Sequence, residues 1–581
     1  MAAITTAQAG NWSATATWTG GVIPGNGDTV TLNHAVTCND NRTVGVSPGA
    51  GAATAAILCN AALTVDGATL TCRGDIKLND VGLILNNGGI FEFDASQAGT
   101  PSTALYICAP TDHNQASARV TANGTSGSRC TIRSVNTNGG ANGRIDNNGF
   151  LRGGMVTCTY TNFLRVGDGT YPHYAIYWFP SNGADALTLD HCVFDTCGPL
   201  LGDNNMVAGV TLHVTNCTTK NSLGSNSIEL LSNTTSTSIR ELAGCVFDKN
   251  AVLTSASLTV TPENIFLGGY TGGASTTYVT WSGNLVRSTD ANDYSVFGDV
   301  LNDYWLKDGA ISNPHYFQWA DGGNWTVDGA IFELSGGTAT DGDIISMPSP
   351  ASARTYVVKN CLALPNDNGG QSGDFISALG NANVTFQVRH NTYVASNQVS
   401  NGCRVGETYN AHAGMCTLFK DNIAWHATSG GHKFTNTNGA PNNNVVSPAN
   451  ANFNAGWNLQ AGSQLKGYNT PMTGGSPGAN DVDGDPQFVD RTRNIKTWDT
   501  SLGGPGTVAH ALAELGKRNE AGYNSAYTVA ALRTYVRAGF MPQATAIRSA
   551  ASDSTTIGAV QWVSSSQVID SDYLFYQIVQ T

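Results

Sequence analysis

The chain has 581 residues, 41% of them hydrophobic, with 67 glycines, 29 lysines plus arginines and a formal net charge of −13. That apolar share is enough to line a long core and excludes a disordered chain. The charge, with no basic stripe to displace counterions, speaks against a nucleic-acid partner; a local basic cleft for an acidic glycan remains compatible with it.

No run of 18 apolar residues exists, so no membrane insertion is expected. The opening MAAITTAQAGNWSATATW lacks a basic stretch followed by an apolar one, so no classical secretion signal is read there. The thirteen cysteines are an odd number, and most are read as small buried hydrophobes with reduced thiols. Folding in a cytoplasm is expected, with exit by a signal-free route or within an assembled particle.

In chain order, Gly10 to Val46 carries Trp12 and Trp18, a turn at Pro24-Gly25-Asn26-Gly27-Asp28 and a strand from Thr29. The end of a β-helix exposes core and unpaired edges, and the two tryptophans suit a cap over residues 1–46. From Ile57 to Phe93 short strands follow closely: LTV at 63–65, LTC at 70–72, IKL at 76–78, LIL at 83–85 and FEF at 91–93. They suit the first small coils, although isolated hairpins give the same local alternation.

A repeated phrase then dominates: a short β-type run, one Cys or Asn, and another run. It reads LTLDHCVFD at 187–195, TLHVTNCTT at 211–219, IRELAGCVFD at 239–248 and VTWSGNLVR at 279–287, then TYVVKNCLA at 355–363, FQVRHNTYV at 386–394 and TLFKDNIAW at 417–425. Aligned, it puts Cys192, Cys217, Cys245, Asn284, Cys361, Asn391 and Asn422 in one structural column. The near steps are 25, 28, 30 and 31 residues, with 39 and 77 between 245, 284 and 361. A phrase that holds while its spacing varies points to a solenoid whose corners accept insertions. The expected fold is all-β, a right-handed parallel β-helix over 47–480. The 77-residue step asks for at least two coils or a lateral excursion, placed near 290–330.

After about 470 the pattern changes. Thr507 is placed to cap a helix carrying Val508, Leu512 and Leu515; Asn524 or Ser525 is placed to open another carrying Val529, Leu532 and Val536, ending before Gly539. This helical end region, 481–554, covers the far end or a flank. A strand and tail are expected over 555–581, pairing with a neighbour or clasping the chain itself.

The whole resembles right-handed parallel β-helix proteins of the phage tailspike, tail-fibre and virion-structural type, with looser similarity to secreted polysaccharide lyases. GNWSATATWTGGVIPGNGDTVTL is similar to their opening phrase, with Trp12, Trp18, Pro24, Gly27 and Asp28 matching. GDPQFVD at 484–490, YVRAGFMP at 535–542 and TIGAV at 556–560 resemble their closing segment. The resemblance implies a virion structural protein that assembles with other virion proteins as a homo-oligomer, a trimer, and contacts host-surface polysaccharide. Alternatives are a polysaccharide depolymerase on the same scaffold and a bacterial adhesin.

A glycosidase needs two carboxyl groups about 5–9.5 Å apart. Candidate acids and bases are Asp299, Asp303, Asp321 and His191, the last facing outward if Cys192 faces inward. Tyr304, Trp305, Tyr316, Trp319 and Trp325 stand beside the acids and suit a sugar face or a subunit contact. Asp481, Asp483 and Asp485 resemble part of a calcium loop without its closing glutamate, so a turn competes with a Ca²⁺ site; no other cofactor is expected.

Overall fold

The computed structural model describes residues 2–45, 55–78, 81–94, 119–135, 155–167, 186–198, 211–221, 239–249, 278–288, 298–308, 324–336, 353–364, 383–395, 416–426, 451–457, 479–520 and 522–561, with short strands between them. The chain is a right-handed parallel β-helix followed by short helices. Each regular coil gives one strand to each of three faces. The opening coil runs Thr29–Leu32 on sheet 1, Val36–Cys38 on sheet 2 and Arg42–Val44 on sheet 3. The next runs Ala55–Cys59, Leu63–Asp66 and Thr69–Cys72. Sheets 2 and 3 have 16 described strands each and sheet 1 has 9; a 4-stranded sheet 4 precedes sheet 2 in the later coils, from Ser295–Val296 to Ile376–Ala378. The strands pair in parallel throughout, as in Ala186–Asp190 on Thr211–Thr215.

The repeated phrase is the bend from sheet 2 to sheet 3. A sheet 2 strand ends, one residue turns with positive φ, the next points inward, and a sheet 3 strand begins. The turning residues include His191 (φ 54°), Asn216 (54°), Gly244 (61°), Gly283 (65°), Asn302 (60°), Gly329 (70°), Asn360 (56°), His390 (52°) and Asp421 (62°). That left-handed region admits Gly freely and Asn, Asp and His more readily than other side chains. The inward residues after them are Cys192, Cys217, Cys245, Asn284, Asp303, Ala330, Cys361, Asn391 and Asn422, all buried.

Asp303 and Ala330 therefore divide the 77-residue step into 19, 27 and 31 residues. Near 290–330, where at least two coils or a lateral excursion were expected, the described residues form regular rungs: Asp299–Leu301 and Tyr304–Asp308, then Trp325–Asp328 and Ile331–Gly336. The column could not be followed there because neither residue continues the Cys/Asn alternation.

Cys and Asn do one job in this column. Asn284 Nδ2 donates to Leu242 O at 2.8 Å, Asn391 Nδ2 to Val358 O at 3.0 Å and Asn422 Nδ2 to Val388 O at 3.1 Å. Each acceptor lies on the sheet 2 strand one rung earlier. The Cys245 thiol donates to the equivalent Val214 O at 3.3 Å, and that of Cys192 to Cys158 O at 3.3 Å. Asn adds what a thiol lacks: its Oδ1 accepts a backbone N–H of the previous rung, as in Asn391 N to Asn422 Oδ1 at 3.0 Å. The asparagine runs end on aspartates, Asn284 N donating to Asp303 Oδ1 and Asn454 N to Asp481 Oδ1, both at 2.8 Å.

At the first end, Trp12 and Trp18 are buried, meet edge-to-face at 4.9 Å, and Trp18 Nε1 donates to Trp12 O at 2.7 Å. Beyond residue 481 the chain folds back along sheet 3. Helices α1 (Ile495–Ser501), α2 (Val508–Gly516), α3 (Val529–Gly539) and α4 (Thr545–Arg548) lie on its outer side. Thr507 caps α2 as expected; α3 is capped by Thr528 and not by Asn524, which instead holds a turn by accepting Ala526 N. Helix α1, unexpected from sequence, is held by a capping box of Asn494 and Thr497. Residues 555–561, expected to begin a strand, form an irregular segment in which Gly558 N donates to Asp421 O at 2.8 Å.

Candidate functional site on the outer face of sheet 2

The roof decides which surfaces remain for function. Outward residues of sheet 3 beneath it, Leu285, Tyr304, Leu306, Ile331 and Leu362, are fully buried and share a second core with Leu512, Leu515, Leu532 and Val536. Guanidinium groups lock the roof to the bends. Arg533 Nη2 donates to Asn302 Oδ1 at 2.7 Å and Gly329 O at 3.2 Å, Arg537 Nη1 to Asn360 O at 3.0 Å, and Arg518 Nη2 to Asn216 Oδ1 at 2.7 Å. Burial pulls Arg533 down to about 9.

Three of the five aromatic candidates, Tyr304, Trp305 and Trp325, are buried and present no ring to a sugar. Tyr304 is buried under the roof and its hydroxyl donates to the Glu333 carboxylate. Trp305 points into the stack 6.4 Å from Trp281, and Trp325 is 3% exposed. Trp319 ends a sheet 4 strand of which only the backbone is described; Tyr316 and Asp321 lie outside the described residues.

The acids are spread as well. Asp303 is the buried ladder terminus, its carboxyl pushed up to about 7 by burial. Glu333, also buried, is pushed up to about 7 for the same reason. Asp299 begins a sheet 2 strand, where its Oδ1 accepts Thr326 N at 2.7 Å. His191 turns the bend, stacks on Tyr160 at 4.5 Å and has Nδ1 2.9 Å from Asp190 Oδ2. Asp481 ends the second ladder, Asp485 Oδ1 accepts from Trp425 Nε1 at 3.2 Å, and the Asp483 side chain is not described. Among the described residues no group of three His, Cys, Asp or Glu converges as a metal site.

The outer face of sheet 2 is an extended polar surface among the described residues. In register along one outward row stand Thr121, Thr157, Thr188, His213, Glu241, Thr280 and Asp299, the side chains up to Thr280 partly exposed. His213 Nδ1 lies 3.0 Å from Glu241 Oε2. A second row, just before the bend, carries Asp190, Thr215, Ala243, Ser282, Leu301, Asp328, Lys359, Arg389 and Lys420. Asp190 is buried enough to resist ionisation, but bonds from Thr215, Asn216 and His191 outweigh this and lower its pKa.

Sequence reasoning passed over His213, Glu241 and this second row. The signal lay in the aligned phrases, where the residue two before the column reads Lys359, Arg389 and Lys420 in its last three copies. No family model, curated protein or solved structure matches the chain in comparison searches. Among the described residues no helix is long and apolar enough to cross a membrane.

Proposed function

We propose that this chain is a rigid spike or fibre component of a phage virion that binds host-surface polysaccharide along the outer face of sheet 2. The observation that carries the reading is the uneven covering of the scaffold: the later rungs of sheet 3 are closed by the chain's own helices while sheet 2 keeps polar side chains in register over many rungs. Such a face offers a linear polymer repeated hydrogen-bonding groups about 4.8 Å apart. The resemblance of the opening and closing phrases supports the virion setting, with homotrimeric assembly and contacts to other virion proteins. A glycan panel tests binding, and cryo-electron microscopy of the assembled particle tests setting and oligomer order. Retention of no glycan on the panel would remove the binding role.

A second reading, depolymerisation, is favoured by one observation. Glu241 and Asp299 stand two rungs apart in the same outward row, with Thr280 between them. Their backbones are therefore about 9.5 Å apart, near the upper end of the carboxyl separation used by inverting glycosidases. Release of reducing ends from a bound polysaccharide, abolished by Glu241→Gln with binding retained, would establish it. Unchanged polymer length after prolonged incubation leaves binding alone.

A further inference from the structure

Charges on neighbouring rungs of this molecule alternate in sign where they meet. On sheet 3, Arg73 pairs with Asp94 at 2.8 Å, Arg133 with Glu92, and Arg287 with Asp248 at 3.0 Å. On sheet 2, His213 pairs with Glu241 at 3.0 Å and Lys359 with Asp328 at 3.0 Å. The rule breaks beyond Lys359: Lys359, Arg389 and Lys420 occupy one outward row on three consecutive rungs, Lys359 opposite Arg389 and Arg389 opposite Lys420.

Like charges directly opposite one another in a sheet are destabilising. Asp328 relieves only Lys359. Among the described residues no ion pair forms on Arg389, which is exposed, or on Lys420, which is half-buried. The nearest acids on the adjoining bend are already engaged. Asp421 is buried and accepts Ser552 N and Oγ, both at 2.6 Å, and Asp553 faces His390 at 3.2 Å. The same bend ridge also receives the half-buried Arg537, whose Nη1 donates to Asn360 O at 3.0 Å. With Lys359 held by Asp328, Arg389 and Lys420 extend the row into a local positive stripe in a chain of net charge −13, and no ion pair among the described residues neutralises these two.

We propose that Lys359, Arg389 and Lys420 form a binding subsite for a linear polysaccharide that carries carboxylates along its length. The site rests on the polysaccharide reading of sheet 2 and gives it a substrate class. Its geometry suits such a polymer: cations about 4.8 Å apart along the stack axis meet an anionic chain laid along that axis. Arg389 offers a planar fork matched to a carboxylate, while the two lysines act as point charges. The neighbouring outward row, Val357, Gln387 and Leu418, supplies a mostly apolar strip beside the charges.

The test is binding of the full chain to polygalacturonate, alginate, hyaluronan and polysialic acid, with dextran and fully methyl-esterified pectin as neutral polymers and single-stranded DNA as a competing polyanion. At least one acidic polysaccharide is expected to bind, more weakly as salt rises. The double variant Arg389→Gln, Lys420→Gln should lose about tenfold or more in that affinity and keep neutral-polymer binding. Its ligand-free melting temperature should be unchanged or raised, because a repulsion is removed. Unaltered acidic-polymer affinity in the double variant overturns the subsite. Binding of neutral but no acidic polymers also overturns it while leaving the polysaccharide reading of sheet 2 intact; binding of no polysaccharide overturns both. Tighter retention of single-stranded DNA than of any acidic polysaccharide overturns the assignment of class.

Discussion

Sheets 2 and 3 are built on the same coils and have 16 described strands each, yet their outer faces carry opposite chemistry. Sheet 2 alternates: Leu187 and Leu189 face inward and are buried, while Thr188 between them is half-exposed. Sheet 3 stops alternating where the helices lie over it. In Tyr304, Trp305, Leu306 and Lys307, or Ile331, Phe332, Glu333 and Leu334, every residue is buried. A parallel sheet buried on both faces reads as a continuous run, and one with a wet face reads as alternation. The difference shows how one repeating scaffold packs one face under the chain's own helices and leaves another exposed to solvent.

The largest effect should come from placing one charge at matched outward positions of the two sheets. Ile331→Asp puts a carboxylate under the roof and should destabilise by about 4 kcal/mol or more, since an unpaired buried charge is costly. Thr157→Asp, outward on sheet 2, should change stability by less than about 1 kcal/mol. Denaturant unfolding of both variants checks this; similar losses would sink the distinction between faces.

The roof has its own keystone. Asp499 is fully buried, with Oδ1 at 2.7 Å from His510 Nδ1 and accepting from Tyr527 OH at 2.8 Å, while Oδ2 accepts Gly506 N at 2.8 Å. It ties α1 to α2 and to the turn before α3. Burial alone would raise its pKa, but His510, Tyr527 and Gly506 together lower it. Its stabilising contribution is therefore present above the unfolded aspartate value of about 4 and is lost as pH falls through the lower folded value. Asp499→Ala should destabilise by about 3 kcal/mol at neutral pH by leaving several donors unpaired. Calorimetry should find the loss smaller at acid pH, and an equal loss at both would refute the assignment.

The scaffold was legible because its grammar is local. A left-handed bend admits few residue types, and the inward residue after it needs a small donor, so Cys and Asn recur. Asp303 and Ala330 hid two rungs because they meet the steric demand without matching the letters. The roof was only half legible: helical spacing announced α2 and α3, but nothing local says what they cover. The aromatic residues 304, 305 and 325 accordingly suggested a contact surface, when 304 and 305 lie in a doubly buried strand of sheet 3 and 325 is an inward residue of sheet 2. The stripe of Lys359, Arg389 and Lys420 needed register, since residues 30 and 31 positions apart become neighbours only once the coils stack.

A subtler perturbation separates the ladder from both faces. Every asparagine in the column donates Nδ2 to a sheet 2 carbonyl one rung earlier, and at Asp303 the equivalent acceptor is Trp281 O. A carboxylate cannot donate, and Asp303 Oδ2 is buried without a hydrogen bond, so burial holds the acid protonated up to about pH 7. Between the unfolded value of about 4 and that point the folded chain binds the extra proton. Stability therefore falls as pH rises through this window and levels above it. Glu333, pushed up to about 7 under the roof, adds a slope of the same sign. Asp303→Asn should place a permanent donor there, raise stability at pH 8 by on the order of 2 kcal/mol, and remove the Asp303 share of the slope. Unfolding free energies from pH 4 to 8 decide it: a variant less stable at pH 8, or with an unaltered slope, would show that Asp303 is held there as a charge.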